Sequence, residues 1–116
     1  MNPAMKTLRR LARRYPEVEE GIACEGSSLE RMTLKVGKKA FLFLGATDAM
    51  VKLRKSLPAA SKLAAREPGR YKAGASGWVK VLWGPDGCPP LDLLKGWIEE
   101  SYRLMAPSPK KSSRRN

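Results

Sequence analysis

The stretch RMTLKVGKKAFLFLG, residues 31–45, decides the fold because it predicts a β-hairpin with a buried second strand. In residues 31–36 apolar and polar residues alternate, which is typical of a strand with one face toward the core. Met32, Leu34 and Val36 are expected to face the core, and Arg31, Thr33 and Lys35 to face solvent. Residues 37–39 supply the turn, since glycine takes positive φ without steric cost. Residues 40–45 are apolar on both faces, so we expect a central strand.

Further periodic segments surround this hairpin. The spacing of apolar residues predicts helices at 4–15, 56–67 and 90–106 and short strands at 21–26, 50–55 and 77–83. This order indicates an α+β fold, an antiparallel sheet with helices on one face. Trp83 is expected in the core, whereas Trp78 begins a strand and its exposure stays open. The glycine-containing segment at 72–77, KAGASG, is expected to be a mobile loop.

The chain has 116 residues, which predicts a single domain at 1–106. Residues 107–116, PSPKKSSRRN, contain prolines, serines and cations without an apolar side chain, so we expect a disordered basic tail. No apolar run is long enough to span a bilayer, and no apolar segment follows the first cations as in a secretory signal. We therefore expect a cytoplasmic monomer that does not associate with membranes.

Residue composition argues against catalysis. The sequence contains no histidine, which excludes a Ser–His–Asp triad, a Cys–His dyad and a histidine metal site. Cys24 and Cys88 lie far apart without metal-ligand spacing. The glycines at 69–77 lack the Lys-Ser/Thr ending of a phosphate-binding loop, and a strand follows them instead of a helix. We expect no enzyme activity, no cofactor and no metal.

A strong positive charge points to polyanionic partners. The 23 Lys and Arg residues outnumber 11 Asp and Glu residues, so the formal net charge is +12. Basic clusters gain affinity for nucleic acids by releasing counterions from phosphates. A basic surface without a cognate polyanion would have the same composition, so charge alone does not decide. The first helix carries a dense set of cations, termed here the arginine ridge: Arg9, Arg10, Arg13 and Arg14.

An ordered set of motifs resembles the MmcQ/YjbR family. The set comprises YPEVEE after the first helix, KVGKKAFLFL, VKLR, EPGRYKAGASGWVKVLWGPDG and LLKGWIEESYRLM with its Ser101–Tyr102 pair. The resemblance covers residues 5–106. It implies a frataxin-like (CyaY-like) α-β-α sandwich and the family's description as DNA-binding proteins with a double-wing arrangement. Frataxin-like iron handling uses an acidic first helix, whereas this one is arginine-rich.

The function predicted from charge and resemblance is largely sequence-nonspecific DNA binding. Cations on the sheet face would meet phosphates, aromatic side chains would stack on bases, and the hairpin and glycine loop would act as wings. The alternative is a protein-interaction module that binds an acidic partner. The predicted nucleic-acid-binding residues are Arg9, Arg10, Arg13, Arg14, Lys35, Lys38, Lys39, Lys52, Arg54, Arg70, Lys72, Trp78 and Lys80.

Overall fold

A six-stranded antiparallel sheet and three helices make up the described part of the chain. The structure is a computed structural model and describes residues 3–23, 26, 31–45, 47–74, 76–83 and 90–106. The elements are α1 (Pro3–Arg13), β1 (Glu19–Ala23), β2 (Arg31–Val36), β3 (Lys39–Leu44), β4 (Asp48–Lys52), α2 (Leu57–Arg66), β5 (Tyr71–Ala73), β6 (Trp78–Leu82) and α3 (Leu91–Met105). The strand order is β1-β2-β3-β4-β6-β5. The predicted α+β class is confirmed.

The β2–β3 hairpin forms as predicted, with a turn of two residues instead of three. Val36 pairs with Lys39, so only Gly37 and Lys38 lie outside the strands. Both have positive φ, 58° and 71°, which is the backbone of a type I′ turn. Its twist matches that of the flanking strands. Lys38 occupies the left-handed region as a non-glycine residue, which has a steric cost.

A β-bulge in β3 explains why this strand is apolar at consecutive positions. Leu34 pairs with Leu42, but Lys35 pairs with Ala40, so Phe41 is the extra residue. A bulge lets two neighbouring side chains lean toward the same side of the sheet. Phe41 and Leu42 are both fully buried. β3 lies between β2 and β4, as expected for a central strand.

Helices α1 and α3 pack against each other and against β3. Leu8 of α1 and Leu94 and Ile98 of α3 are buried in the same core as Leu42 and the β6 valines. Tyr102 of α3 stacks on Tyr15 with ring centroids 4.7 Å apart and meets the Phe41 ring edge-on at 5.3 Å. Its hydroxyl donates to the Pro16 carbonyl oxygen at 2.8 Å. The last helix is thereby joined to the chain that follows α1.

Ser101 joins α3 to the sheet through one buried hydroxyl. Its Oγ donates to the carbonyl oxygen of the bulge residue Phe41 at 2.6 Å and accepts from the amide of Lys52 at 2.9 Å. Ser101 is 0% exposed. The Phe41 carbonyl at the bulge and the Lys52 amide at the end of β4 thus find their hydrogen-bond partner on α3. Without that hydroxyl they would lose a partner in a buried place.

Glu100 holds the turn between β4 and α2. Its carboxylate accepts hydrogen bonds from the amides of Arg54 (2.8 Å) and Ser56 (3.0 Å) and from the Ser56 hydroxyl (2.7 Å). Burial by itself raises the pKa of Glu100, but these hydrogen bonds outweigh it and lower the pKa below its ordinary value of 4.5. The charged carboxylate therefore stabilises the start of α2.

Three features differ from the sequence expectations. Residues 71–73 form β5, so Lys72 and Ala73 of the expected loop belong to a strand, and Gly74 and Gly77 close the β5–β6 hairpin with hydrogen bonds from Gly77 N to Gly74 O and from Gly74 N to Trp78 O. Thr33 is only 3% exposed instead of solvent-facing, because it lies between its register partners on β1 and β3, where Phe43 flanks it. β1 and β4 begin two residues earlier than predicted. Trp83 is buried, as expected.

Some expectations fall on other parts of the chain. The predicted tail at 107–116 and both cysteines lie outside the described residues. Among the described helices, none has both the length and the apolar character needed to cross a membrane.

We predict that Ser101→Ala destabilises the fold by about 2–4 kcal/mol, since two buried backbone groups lose their partner. Urea unfolding checks this. Ser61→Ala, at an exposed position of α2, is the matched control and should change stability by less than about 0.5 kcal/mol. Equal stabilities of the two variants would contradict the bridging role of Ser101.

Glu100 should make part of the stability pH-dependent. Because its pKa is lowered on folding, its contribution is complete above 4.5 and is lost as pH falls through the folded pKa. Glu100→Gln should be less stable than the parent by about 1 kcal/mol near neutral pH, and the difference should shrink in acid. Unfolding free energies measured from about pH 6 down to about pH 3 test this, and a difference independent of pH would contradict it.

Candidate nucleic-acid interface

The sheet has one face covered by α1 and α3 and one face directed away from them. Residues paired across antiparallel strands point to the same side, so the register assigns each side chain to a face. Leu34, Leu42, Val51 and Val79 form one row on the helix-bearing face. The opposite face carries cations and aromatic rings, termed here the sheet-face cluster: Arg31, Lys35, Phe43, Lys52, Lys72, Trp78 and Lys80.

Trp78 lies at the centre of the aromatic part of this cluster and is partly exposed. Its ring meets the Phe43 ring with centroids 5.5 Å apart and an interplanar angle of 60°. The Lys52 ammonium lies over the indole, 5.7 Å from the ring centroid. Lys52 and Trp78 are register partners on β4 and β6. Three neighbouring strands thus build one mixed aromatic and cationic patch.

Two lysines of like charge face each other beside this patch. Lys72 on the edge strand β5 pairs with Lys80 on β6. Side chains in such a pair have Cβ atoms about 5 Å apart, and like charges placed there are destabilising. Lys72 is exposed and forms no ion pair with any described residue. The pair therefore concentrates positive charge at one edge of the sheet at a cost in stability.

One buried carboxylate lies on the same face. Asp48 is 6% exposed and accepts from Arg31 Nη2 at 3.0 Å, with Lys80 Nζ at 4.0 Å from the same oxygen. Through these contacts the Asp48 carboxylate, at the start of β4, links Arg31 of β2 with Lys80 of β6. Gly45 leaves the space it needs, because a Cβ there would collide with the Asp48 carboxylate and the Arg31 side chain. Asp48 thus orients two cations and neutralises them in part.

The arginine ridge lies on the other side of the molecule. Glu20 pairs with Leu34 in the register and therefore points to the helix-bearing face, where it meets α1. Its carboxylate accepts from Arg9 at 2.7 Å and lies 3.2 Å from Arg13. The hydrogen bond from Arg9 lowers the pKa of Glu20, and the same contact raises the pKa of Arg9. The ridge and Lys6 line an open groove of about 600 Å³.

The other predicted site residues lie in turns or point away from the cluster. Lys38 is at the tip of the β2–β3 turn, and Lys39 pairs with Val36, which directs it toward the helix-bearing side. Arg54 is exposed in the turn before α2. Arg70 forms an exposed ion pair with Glu67 at 3.5 Å. Of the thirteen predicted residues, Lys35, Lys52, Lys72, Trp78 and Lys80 share the sheet-face cluster.

The β2–β3 and β5–β6 turns lie at the same end of the sheet. Antiparallel pairing puts the start of β3 next to the end of β4, and Lys52 at that end is opposite Trp78. Gly77, with φ of 97°, accepts from the Leu53 amide at 2.8 Å, which ties the second turn to β4. An open groove of about 450 Å³ at this end is lined in part by Lys52, Arg54 and Gly77.

Sequence reasoning missed Arg31 and Phe43 as members of the site. Phe43 belongs to a run of apolar residues that indicated a buried strand, yet it alternates with the buried Leu42 and Leu44. Period-two alternation within residues 42–44 was the available signal. Arg31 was expected to face solvent, which is where the register puts it, but its contact with Asp48 lies outside any local pattern.

Replacing Lys72 with glutamate should raise stability, because the repulsion from Lys80 becomes attraction. We expect an increase of about 0.2–1 kcal/mol in the free energy of unfolding, measured in urea at low salt. The gain should diminish at high salt, since exposed charges are screened. A loss of stability, or a gain that salt does not affect, would contradict the proposed repulsion.

Within the described residues, no group of three or more His, Cys, Asp and Glu side chains could hold a metal ion.

Comparison with known proteins gives one family. Searches of curated proteins and of solved structures each found no match. The family model YjbR matches residues 13–104, which is most of the chain and includes all six described strands and all of α3 except its last residue. The chain therefore belongs to the YjbR family.

Proposed function

We propose that this protein binds nucleic acid, DNA in the first instance, through the sheet-face cluster. The observation that carries the proposal is the pair Lys72 and Lys80, held opposite each other beside the Phe43 and Trp78 rings. Repulsion between like charges is relieved when an anionic ligand lies between them. Protein surfaces that bind nucleic acid usually combine cations that contact phosphates with aromatic rings that stack on bases.

Carboxylates neutralise part of the positive charge on both faces. The described carboxylates at this face are Asp48, which is buried against Arg31, and Glu19, which pairs with Lys35 at the sheet edge. The helix-bearing side holds Glu20, which occupies two arginines of the ridge. Both faces therefore keep cations without an ion pair to a described residue, and the sheet-face cluster differs from the ridge in holding them beside the Phe43 and Trp78 rings.

The cluster suits phosphate contact better than base readout. Its free cations are lysines, which act as point charges and accept a phosphate in many orientations. Arg31, the arginine of the cluster, is oriented by Asp48. Bidentate recognition of base edges depends on Arg, Asn or Gln side chains aimed into a groove. We therefore propose binding with little sequence preference, in which the two turns at one end of the sheet act as wings.

We further propose a binding role without catalysis, exercised as a cytoplasmic monomer. Support comes from the buried or partly buried carboxylates, which serve the fold: Glu100 holds the turn before α2, and Asp48 holds Arg31. A nucleic-acid ligand also agrees with a compartment that contains nucleic acid.

Removing two exposed cations from the cluster should weaken binding. We expect Lys35→Gln with Lys72→Gln to lower affinity for DNA roughly tenfold at low salt and to reduce the salt slope by about two units. Fluorescence anisotropy of labelled DNA across a salt series measures both. The matched control is Arg10→Gln with Lys62→Gln, which removes the same charge from exposed positions on α1 and α2.

The control separates a surface from simple net charge. Equal losses in the two double variants would show that net charge alone is responsible, and a larger loss in the control would move the site to the helices. No detectable binding by the parent at low salt would reject the function. Polyglutamate tests the alternative, an acidic protein partner: at equal charge concentration it should compete poorly with DNA.

A further inference from the structure

Trp78 differs from the other two tryptophans in being reachable by a ligand. Trp83 and Trp97 are each 4% exposed, and Trp97 contacts the buried Tyr71 ring in the core. Trp78 is partly exposed on the sheet face with Phe43 against it. The Lys52 ammonium lies over the same ring, 5.7 Å from the centroid. The partly exposed indole is therefore flanked by an aromatic ring and by a cation on a flexible side chain.

We propose that Trp78, Phe43 and Lys52 form a stacking site for an unpaired base, so that the ligand is single-stranded nucleic acid. This inference rests on the proposed function. Lys52 leaves the ring to meet a phosphate, and a base takes its place on the indole. Stacking of a base on an aromatic ring is worth more than an exposed cation–π contact, and the displaced ammonium gains a phosphate partner.

Hydrogen bonds hold the backbone around the site, whereas the Lys52 ammonium forms no hydrogen bond or ion pair with a described residue. The Lys52 amide donates to the buried Ser101 hydroxyl, and the Gly77 carbonyl preceding Trp78 accepts from Leu53. A Cβ at Gly77 would lie 2.8 Å from the Leu53 oxygen, so the close approach requires glycine. Moving Lys52 from ring to phosphate therefore changes side-chain torsions and leaves the strands in place.

The lysines beyond Trp78 are spaced for an extended strand. Lys80 follows Trp78 by two residues on β6, about 7 Å along the strand, and points to the same face. Lys72 lies opposite Lys80 on the edge strand. A backbone that runs from the stacked base along β6 would bring its next phosphate between these two ammonium groups. In a duplex the bases are already stacked and paired, so reaching Trp78 would require flipping one out.

The experiment compares single-stranded oligothymidylate of about 15 nucleotides with a duplex of equal length. In the parent, the single strand should quench tryptophan fluorescence and protect it from acrylamide, because Trp78 is the accessible tryptophan. Trp78→Ala should weaken single-strand binding about 10- to 100-fold and change duplex binding by less than about twofold. Trp78→Phe should keep most of the affinity and lose the quenching.

The possible results distinguish a failure of base stacking from a failure of the proposed nucleic-acid binding. If the parent binds both ligands and Trp78→Ala weakens neither, or both equally, stacking is rejected while nucleic-acid binding stands. Binding of the duplex without the single strand likewise rejects stacking and leaves nucleic-acid binding in place. If the parent binds neither, the proposed function itself is rejected. Should Trp78→Ala fail to fold, quenching and acrylamide protection in the parent remain decisive, since binding without either rejects stacking.

Discussion

The hydrogen bonds of the Ser101 hydroxyl connect the two layers of this protein at the point where its sheet is irregular. The bulge at Phe41 turns two successive side chains of β3 toward the helices and interrupts the ladder there. Ser101 accepts from Lys52 and donates to Phe41, which satisfies both strands from α3. Next to it on α3, Tyr102 packs between Tyr15 and Phe41. Ser101 and Tyr102 thereby place α1 and α3 on one side of the sheet.

Because α1 and α3 lie on one side of the sheet, the side chains on its other side do not pack against these two helices. Its rows contain Phe43 and Trp78 among the lysines, whereas the solvated face of an antiparallel sheet is ordinarily polar. The face also keeps the Lys72–Lys80 repulsion, which a single acidic substitution would relieve. A sheet that keeps partly exposed rings and like charges on one face loses some stability there, which agrees with the proposed binding surface.

Local sequence patterns predicted much of the fold but less of the candidate site. Alternation in residues 31–36 and helical spacing in 90–106 were predictable because each element's own period records which face is buried. β5 was not predictable from local sequence, because its three residues form a strand only when they pair with Val79, Lys80 and Val81 of β6. The burial of Thr33 likewise depends on Phe43 from the next strand. Alternation within β2 predicted that Lys35 points away from the core, but which cations lie side by side follows from the order and register of the described strands.

The acids explain why the net charge of +12 does not by itself locate a binding surface. The arginine ridge is the densest run of cations in the described sequence, yet Glu20 from β1 holds two of its four arginines. Lys35, Lys52 and Lys72 are scattered along the chain, and none forms an ion pair with a described residue. What attracts a polyanion is positive charge left over after local pairing, in a place where rings can also be reached. Arg10 and Arg14 of the ridge also form no ion pair with a described residue, so what favours the sheet face is that its lysines lie beside the Phe43 and Trp78 rings.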